Sequence, residues 1–89
     1  MKMKQDKELT RVIYRKFKNG EIIALFPQIK ETNYCVLSYM HVGQHGSADF
    51  DQVVRITKLA LADEYKELHD ELTKVVGYTL DVRTRNNRR

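Results

Sequence analysis

Two apolar runs in the first third of the chain predict a β-hairpin. Residues 11–17 read RVIYRKF and residues 22–26 read IIALF, and both runs are rich in β-branched and aromatic side chains. Asn19 and Gly20 lie between them, and an Asn-Gly pair in this position is the strongest short-range hairpin signal because both turn residues must tolerate a positive φ. Apolar residues occur on both sides of the hairpin, so the pattern does not tell which side faces the core.

The turn also predicts a register for this hairpin. A two-residue turn places Phe17 opposite Ile22 and Arg15 opposite Ala24. Pro27 is predicted to end the second strand, because proline has no N–H to donate to the ladder of a sheet.

Apolar spacing predicts the elements of the remaining chain. A third strand is predicted over residues 34–41 (YCVLSYMH), whereas residues 49–57 (DFDQVVRIT) are ambiguous between a short strand and a packed loop. Apolar residues recur at helical spacing over residues 61–76, opposite a charged face, and Gly77 is a natural helix C-cap. Residues 78–85 (YTLDVRTR) alternate between apolar and polar positions, which predicts a last strand.

This order, β-β-β-(β)-α-β, predicts an α+β fold with a three- to four-stranded antiparallel sheet and one amphipathic helix packed on one face. The 89 residues suffice for a single small domain (1–89), with an ordered core over about 10–85 and flexible charged tails at 1–9 and 86–89. A lone helix covers one face of such a sheet, so the other face is expected to be open to solvent or to a partner.

Charge is distributed unevenly along the chain. The net charge is +4, yet residues 61–76 hold five acidic and two basic side chains, so the rest of the chain carries +7. A basic open sheet face with aromatic residues could bind nucleic acid by neutralising phosphates and stacking bases. The acidic helix start, LALADEYKEL, argues against a double-stranded-RNA-binding domain, in which a basic helix grips phosphates. The candidate contacts are Arg15, Lys16, Lys18, Arg83, Arg85, Arg88 and Arg89, with Tyr14 and Phe17 as stacking platforms.

The segment SYMHVGQHGSADFD, residues 38–51, combines histidine, glycine, serine and aspartate. Imidazole and carboxylate groups are good metal ligands, so metal binding through His41 and His45 is one alternative. Gly43 and Gly46 disfavour a helix here. The HxxxH spacing indicates a metal site only when both histidines lie on one face of a helix, so it carries no such indication in this segment. Serine, histidine and aspartate alternate along one stretch and do not converge from separate elements as a hydrolytic triad does. The segment is interpreted as a loop, with a possible recognition role. The candidate contacts are His41, Gln44, His45 and Asp49.

Several features indicate a cytoplasmic protein. Cys35 is the single cysteine and cannot form an internal disulfide, which fits a reducing compartment. No apolar run approaches the ~18 residues of a membrane span, and the charged start MKMKQDKEL lacks the apolar core of a signal peptide. Nothing in the sequence indicates a cofactor.

The stretches RKFKNGEIIALFP and YMHVGQHGSAD are distinctive, and the final GYTLDVR adds to them. Over roughly residues 11–85 the chain resembles a family of small uncharacterised proteins from gut bacteria and their phages or other mobile elements. The resemblance implies an accessory protein whose partners include host components. It supplies no catalytic residue.

Three classes of function remain open on this basis. The favoured class is a small non-enzymatic protein-interaction module that acts on a host protein or on a second copy of itself. One alternative is a nucleic-acid-binding protein that uses the basic open face and the carboxyl-terminal arginines. The other alternative is a metal-binding protein that uses the His41/His45 segment.

Overall fold

The computed structural model describes residues 9–40 and 44–84, which form an α+β fold as predicted. The predicted tails, apart from Leu9, lie outside the described residues. Within this part of the chain, one mixed sheet carries a helix on each face. The strands are β1 (Thr10–Lys16), β2 (Ile22–Lys30), β3 (Cys35–Met40), β4 (Gln44–Asp49), β5 (Lys58–Leu59) and β6 (Leu80–Arg83). The helices are α1 (Phe50–Ile56) and α2 (Ala62–Asp70), and α2 continues into a π-helical segment, Glu71–Val76.

The sheet is larger than predicted and is not purely antiparallel. Its order is β4-β3-β2-β1, and both β5 and β6 pair with the far edge of β1. β5 pairs antiparallel with Arg15 and Lys16, whereas β6 pairs parallel with residues 10–13. The prediction of three to four antiparallel strands fell short because β4 and β5 lack a strong apolar pattern, and because alternation alone does not give a strand its direction.

The predicted β1–β2 hairpin is confirmed, but its register differs by one residue. The Phe17 N–H donates to the Glu21 carbonyl at 2.8 Å, and the Gly20 N–H donates to the Phe17 carbonyl at 2.9 Å. Three residues therefore form the loop, and Gly20 closes it with a φ of 96°. This geometry is that of a type I turn followed by a left-handed residue. Arg15 consequently pairs with Ile23 and not with the predicted partner.

Pro27 does not end β2, contrary to the prediction. The strand continues to Lys30, and Pro27 is buried within it. The pairing of β2 with β3 shifts between Phe26 and Lys30, so the ladder is irregular where the proline cannot donate. A bulge accommodates the proline without terminating the strand.

The predicted third strand is confirmed as β3, but the stretch after it, which was interpreted as a loop, forms β4 and makes a second hairpin with β3. β4 pairs antiparallel with β3, from Cys35 opposite Asp49 to Met40 opposite Gln44. Residues 41–43, which connect these two strands, lie outside the described residues. Strand pairing with β3 thus overrides the low strand propensity of Gly46.

The ambiguous residues 49–57 form helix α1, which covers the sheet face that was predicted to be open. Asp49 caps the helix, because its carboxylate accepts the N–H of Gln52 at 3.2 Å. The apolar side chains of α1 pack on those of the sheet. The contacting set comprises Phe50, Val53 and Val54 from α1 with Ile23, Leu25 and Val36 from the sheet.

The opposite face packs on α2 and its π-helical continuation, as the predicted amphipathic helix requires. Leu68 and Leu72 are buried there against the sheet. Tyr14 stacks on Tyr65 with 4.2 Å between ring centroids, and its hydroxyl lies 2.9 Å from Nδ1 of His69. Burial raises the pKa of Tyr14, so its phenol stays protonated near neutral pH. The hydrophobic core on this face is larger than the core under α1.

The predicted C-cap at Gly77 is confirmed. Gly77 adopts a left-handed conformation with a φ of 105°, and its N–H donates to the carbonyl of Leu72 at 2.9 Å. The N–H of Tyr78 donates to the same carbonyl at 3.0 Å. The chain then leaves the helix and enters β6 beside β1.

Arg15 fixes the carboxyl-terminal end of α1 to the sheet. Its Nε donates to Oγ1 of Thr57 at 3.0 Å, and its Nη2 donates to the carbonyls of Val54 and Thr57 at 3.0 and 2.8 Å. A guanidinium at this position satisfies carbonyls that have no partner within the helix and complements the negative end of the helix dipole. Burial lowers the pKa of this guanidinium, which nevertheless stays charged near neutral pH.

Glu64 joins the start of α2 to β1. Its Oε1 accepts a hydrogen bond from the N–H of Leu61 at 2.8 Å, and its Oε2 accepts a hydrogen bond from Nζ of Lys16 at 2.5 Å. The hydrogen bond from the Leu61 backbone is the main reason why the pKa of Glu64 is lowered, and the bond from Lys16 adds to the effect. The carboxylate therefore contributes to folding in its charged form.

Replacing Arg15 tests its structural role. We expect Arg15→Met to lower the free energy of unfolding by about 2–3 kcal/mol, because two helix carbonyls and one hydroxyl lose a charged donor. Arg55→Met is the matched control, since Arg55 is exposed on α1, and it should change stability by less than about 0.5 kcal/mol. Urea denaturation followed by circular dichroism measures both. Equal losses in the two variants would contradict the anchoring role.

Glu64 generates a pH dependence with a defined sign. A carboxyl whose pKa is lowered on folding stabilises the protein above its unfolded pKa, and this contribution disappears as the pH falls through the folded pKa. The difference in urea midpoint between wild type and Glu64→Gln should therefore be full near pH 7 and should shrink below about pH 4. Lys16→Met should retain most of this dependence, because the Leu61 amide has the larger effect. If the difference in urea midpoint between wild type and Glu64→Gln stays constant with pH, the proposed role of the Glu64 carboxylate is contradicted.

Candidate functional site: a cationic groove

Several residues of the predicted basic face are not available for binding in the structure. Tyr14 is 1% exposed and Arg15 holds α1, so neither is available to stack or neutralise a ligand. Arg83 forms an ion pair with Asp81 at 3.0 Å, which raises the pKa of Arg83 and lowers that of Asp81. Arg85, Arg88 and Arg89 lie outside the described residues. The continuous basic sheet face that was expected is therefore replaced by a face packed under α1.

Three of the predicted contacts do lie together, in a groove between the β1–β2 loop and the end of α1. The groove has a volume of about 890 Å³ and is open to solvent. We call it the cationic groove. It is lined by the apolar side chains of Phe17, Met40 and Ile56, by the basic residues Lys16, Lys18, Arg55 and Lys58, and by Asn19, Glu21 and Thr57.

Arg15 positions one wall of the cationic groove from below. Its bonds to Val54 and Thr57 hold the last turn of α1 above the hairpin. β5 then places Lys58 opposite Lys16 on the neighbouring strand. The groove thus depends on the half-buried Arg15, which orders the segment that carries the exposed Arg55 and Lys58.

The charges of the groove are only partly compensated. Lys16 is paired with Glu64, and Glu21 is the single acidic side chain that the described residues contribute to the lining. Within the described part of the chain, Lys18, Arg55 and Lys58 make no ion pair within 4 Å. The positive field is focused on a short stretch of surface, which attracts anionic groups.

The floor of the groove is apolar. Phe17 and Met40 are partly buried against the core below α1, whereas the side chain of Ile56 is 51% exposed. Ile56 is therefore an exposed apolar side chain beside the basic residues of the groove. The arrangement suits a ligand that presents both apolar and acidic groups.

The predicted recognition residues on β4 contribute to the fold. His45 Nε2 lies 3.1 Å from the Tyr78 hydroxyl, and its ring packs edge-on against Tyr39 with 4.7 Å between centroids. Asp49 caps α1. His41 and the side chain of Gln44 lie outside the described residues. His45 remains exposed at the strand, so it is accessible although it is bonded.

Neither a metal site nor a membrane span emerges from the described residues. Over residues 9–40 and 44–84, no group of three or more histidine, cysteine, aspartate or glutamate side chains is placed to hold a metal ion. In the same part of the chain, no helix is long and apolar enough to cross a membrane. His45, one member of the proposed metal pair, bonds to Tyr78.

A second cavity, of about 700 Å³, lies between β2, the β2–β3 loop and the start of α1. Its charged lining is mixed, because basic and acidic side chains both contribute to it. These charged residues are Arg11, Lys30, Arg55, Asp49 and Asp51. Nε of Arg11 is buried without a hydrogen-bond partner among the described residues. The mixed charge gives this cavity a weaker preference for one class of ligand than the cationic groove has.

Sequence reasoning missed Arg55, Ile56 and Lys58. They were overlooked because residues 49–57 were not recognised as a helix. The signal was present: Asp49 is a favourable N-cap, and the apolar residues at positions 50, 53 and 54 follow helical spacing. Recognising α1 would have placed Arg55 in its last turn and on its exposed side.

Comparison of the chain with family models, with curated proteins and with solved structures found no match.

Proposed function

We propose that the protein is a small non-enzymatic interaction module that binds an acidic segment of a partner protein in the cationic groove. The observation that supports this proposal is the set of unpaired cations, Lys18, Arg55 and Lys58, around the exposed side chain of Ile56. A segment with alternating acidic and apolar side chains complements both features. Opposite charges accelerate encounter and select the partner, while the apolar contact supplies affinity.

The disposition of the aromatic residues favours a protein ligand over single-stranded nucleic acid. Proteins that bind single strands present successive aromatic platforms on which bases stack. Here Tyr14 is buried and covers one face of Tyr65, while Tyr34, which is 79% exposed, lines the second cavity and not the cationic groove. Phe17 is the one aromatic side chain in the lining of the groove, and it is partly buried.

The resemblance to a family from gut bacteria and their phages supports a host protein as the partner, and the cytoplasm as the place where the two meet. The expected ligand is a short acidic stretch, because the cations lie around a single groove and not along an extended face. Binding of this kind weakens as salt screens the charges. The module would thus act by occupying a segment that the host protein normally uses elsewhere.

Charge reversal in the groove tests the proposal. The probe is a fluorescein-labelled peptide that alternates glutamate and leucine, and binding is measured by fluorescence anisotropy at two salt concentrations. Lys18→Glu/Lys58→Glu should weaken binding by about tenfold to a hundredfold, because two attractive contacts become repulsive. The control, Lys30→Glu/Lys74→Glu, changes the net charge equally but leaves the groove intact, and it should bind within about twofold of wild type.

Two further probes make the outcome decisive. A peptide with glutamine in place of glutamate should bind at least about tenfold more weakly. If the control variant loses as much affinity as the groove variant, or if wild type does not bind the acidic peptide, the proposal is wrong. If single-stranded DNA or RNA binds more tightly than the peptide and only the groove variant loses it, nucleic acid replaces protein as the ligand.

A further inference from the structure

The outer edge of β4 is an unpaired strand edge. β4 pairs with β3 on one side, and no strand of the described residues pairs with it on the other. The opposite end of the sheet differs, because β5 and β6 both cover the far edge of β1. An exposed edge presents a row of backbone N–H and C=O groups that a further strand can join.

β4 lacks the features that usually protect such an edge. Its sequence, QHGSAD, contains neither lysine, arginine nor proline, and its central residues Gly46, Ser47 and Ala48 are small. By contrast, β6, an outer strand at the opposite end of the sheet, is shorter and carries the charged residues Asp81 and Arg83. The backbone edge of β4 is therefore unpaired among the described residues, and its side chains do not block the addition of another strand.

The side chains of β4 are complementary to themselves in one antiparallel alignment. If two copies of β4 pair around Ser47, each Gly46 lies opposite Ala48, and each His45 lies opposite Asp49 of the second copy. His45, Ser47 and Asp49 project from the same face of the strand and are exposed. Directly opposed side chains have Cβ atoms about 5 Å apart, within reach of an imidazole–carboxylate contact.

The atoms required for these contacts are free of intrachain bonds among the described residues. His45 uses Nε2 toward Tyr78 and keeps Nδ1, whereas Asp49 uses Oδ1 toward the N–H of Gln52 and keeps Oδ2. An alignment shifted by one residue would place His45 opposite Ala48 and lose both contacts. The two-fold alignment around Ser47 is therefore the one that the charges select.

We propose that β4 is a dimerisation edge, at which a second copy of this chain adds its own β4 antiparallel and continues the sheet across a two-fold axis. The same patch serves both copies, so the contact closes at two chains and does not propagate. This inference does not involve the cationic groove, and either proposal can fail without the other.

The oligomeric state tests the proposal directly. Sedimentation velocity of the full chain, from micromolar to submillimolar concentration, should show a monomer–dimer equilibrium. Ser47→Lys should raise the dissociation constant by at least about tenfold, because two long side chains replace two small hydroxyls at the axis and because the hydrogen bond from Ser47 Oγ to Oε1 of Glu31, 3.0 Å long, is lost. Thr84→Lys is the matched control, an exposed position at the end of β6, and it should dimerise as wild type does. Circular dichroism confirms that both variants fold.

Cysteine crosslinking tests the register in a Cys35→Ser background. Ser47→Cys should form an intermolecular disulfide on mild oxidation, because residues opposed at the axis have the Cα separation that a disulfide needs. His45→Cys should not, since its symmetry mate lies about 13 Å away along the strand. A chain that is monomeric throughout, even one whose edge binds a peptide strand of another protein, overturns the proposal. So does a dimer that survives Ser47→Lys or crosslinks equally through His45→Cys.

Discussion

The hydrogen bonds from Arg15 to the end of α1 are the interaction on which much of the structure depends. They give a seven-residue helix, too short to be stable alone, a fixed position on the sheet. With the helix in place, the apolar residues of the central strands are covered on this face as well as on the other. The same bonds position one wall of the cationic groove, so the half-buried guanidinium of Arg15 connects the stability of the fold to the surface proposed for binding.

Because both faces of the sheet are covered, the surfaces left for recognition lie at its margins. The cationic groove lies beside the turn of the first hairpin, and the open edge lies at β4. The two surfaces differ in chemistry, since one combines cations with an apolar floor and the other offers backbone groups with small side chains. A domain of this size thereby presents two distinct surfaces without a cleft in its core.

Local signals in the sequence predicted what depends on local structure. The Asn-Gly hairpin, the amphipathic helix and the Gly77 cap follow from neighbouring residues, and all three are present. The strand β4 was not predictable in this way, because a stretch with Gly46 becomes a strand only by pairing with β3. The role of Arg15 was also not predictable, because the sequence pattern is the same for a strand cation that is exposed to solvent and for one that binds the end of a helix. Of the groove, sequence supplied Lys16, Phe17 and Lys18, while the contribution of α1 required the fold.

The parallel pairing of β1 with β6 has a consequence for biosynthesis. β1 receives one of its neighbours only when residues close to Arg83, about seventy positions later in the chain, have left the ribosome. Until then the amino-terminal hairpin exposes one long side of β1, and closure requires contacts between distant parts of the chain, which form slowly. A ribosome that pauses before β6 has emerged would thus hold a nascent chain whose sheet is incomplete, and this is the stage at which chaperones or other nascent chains bind it most easily.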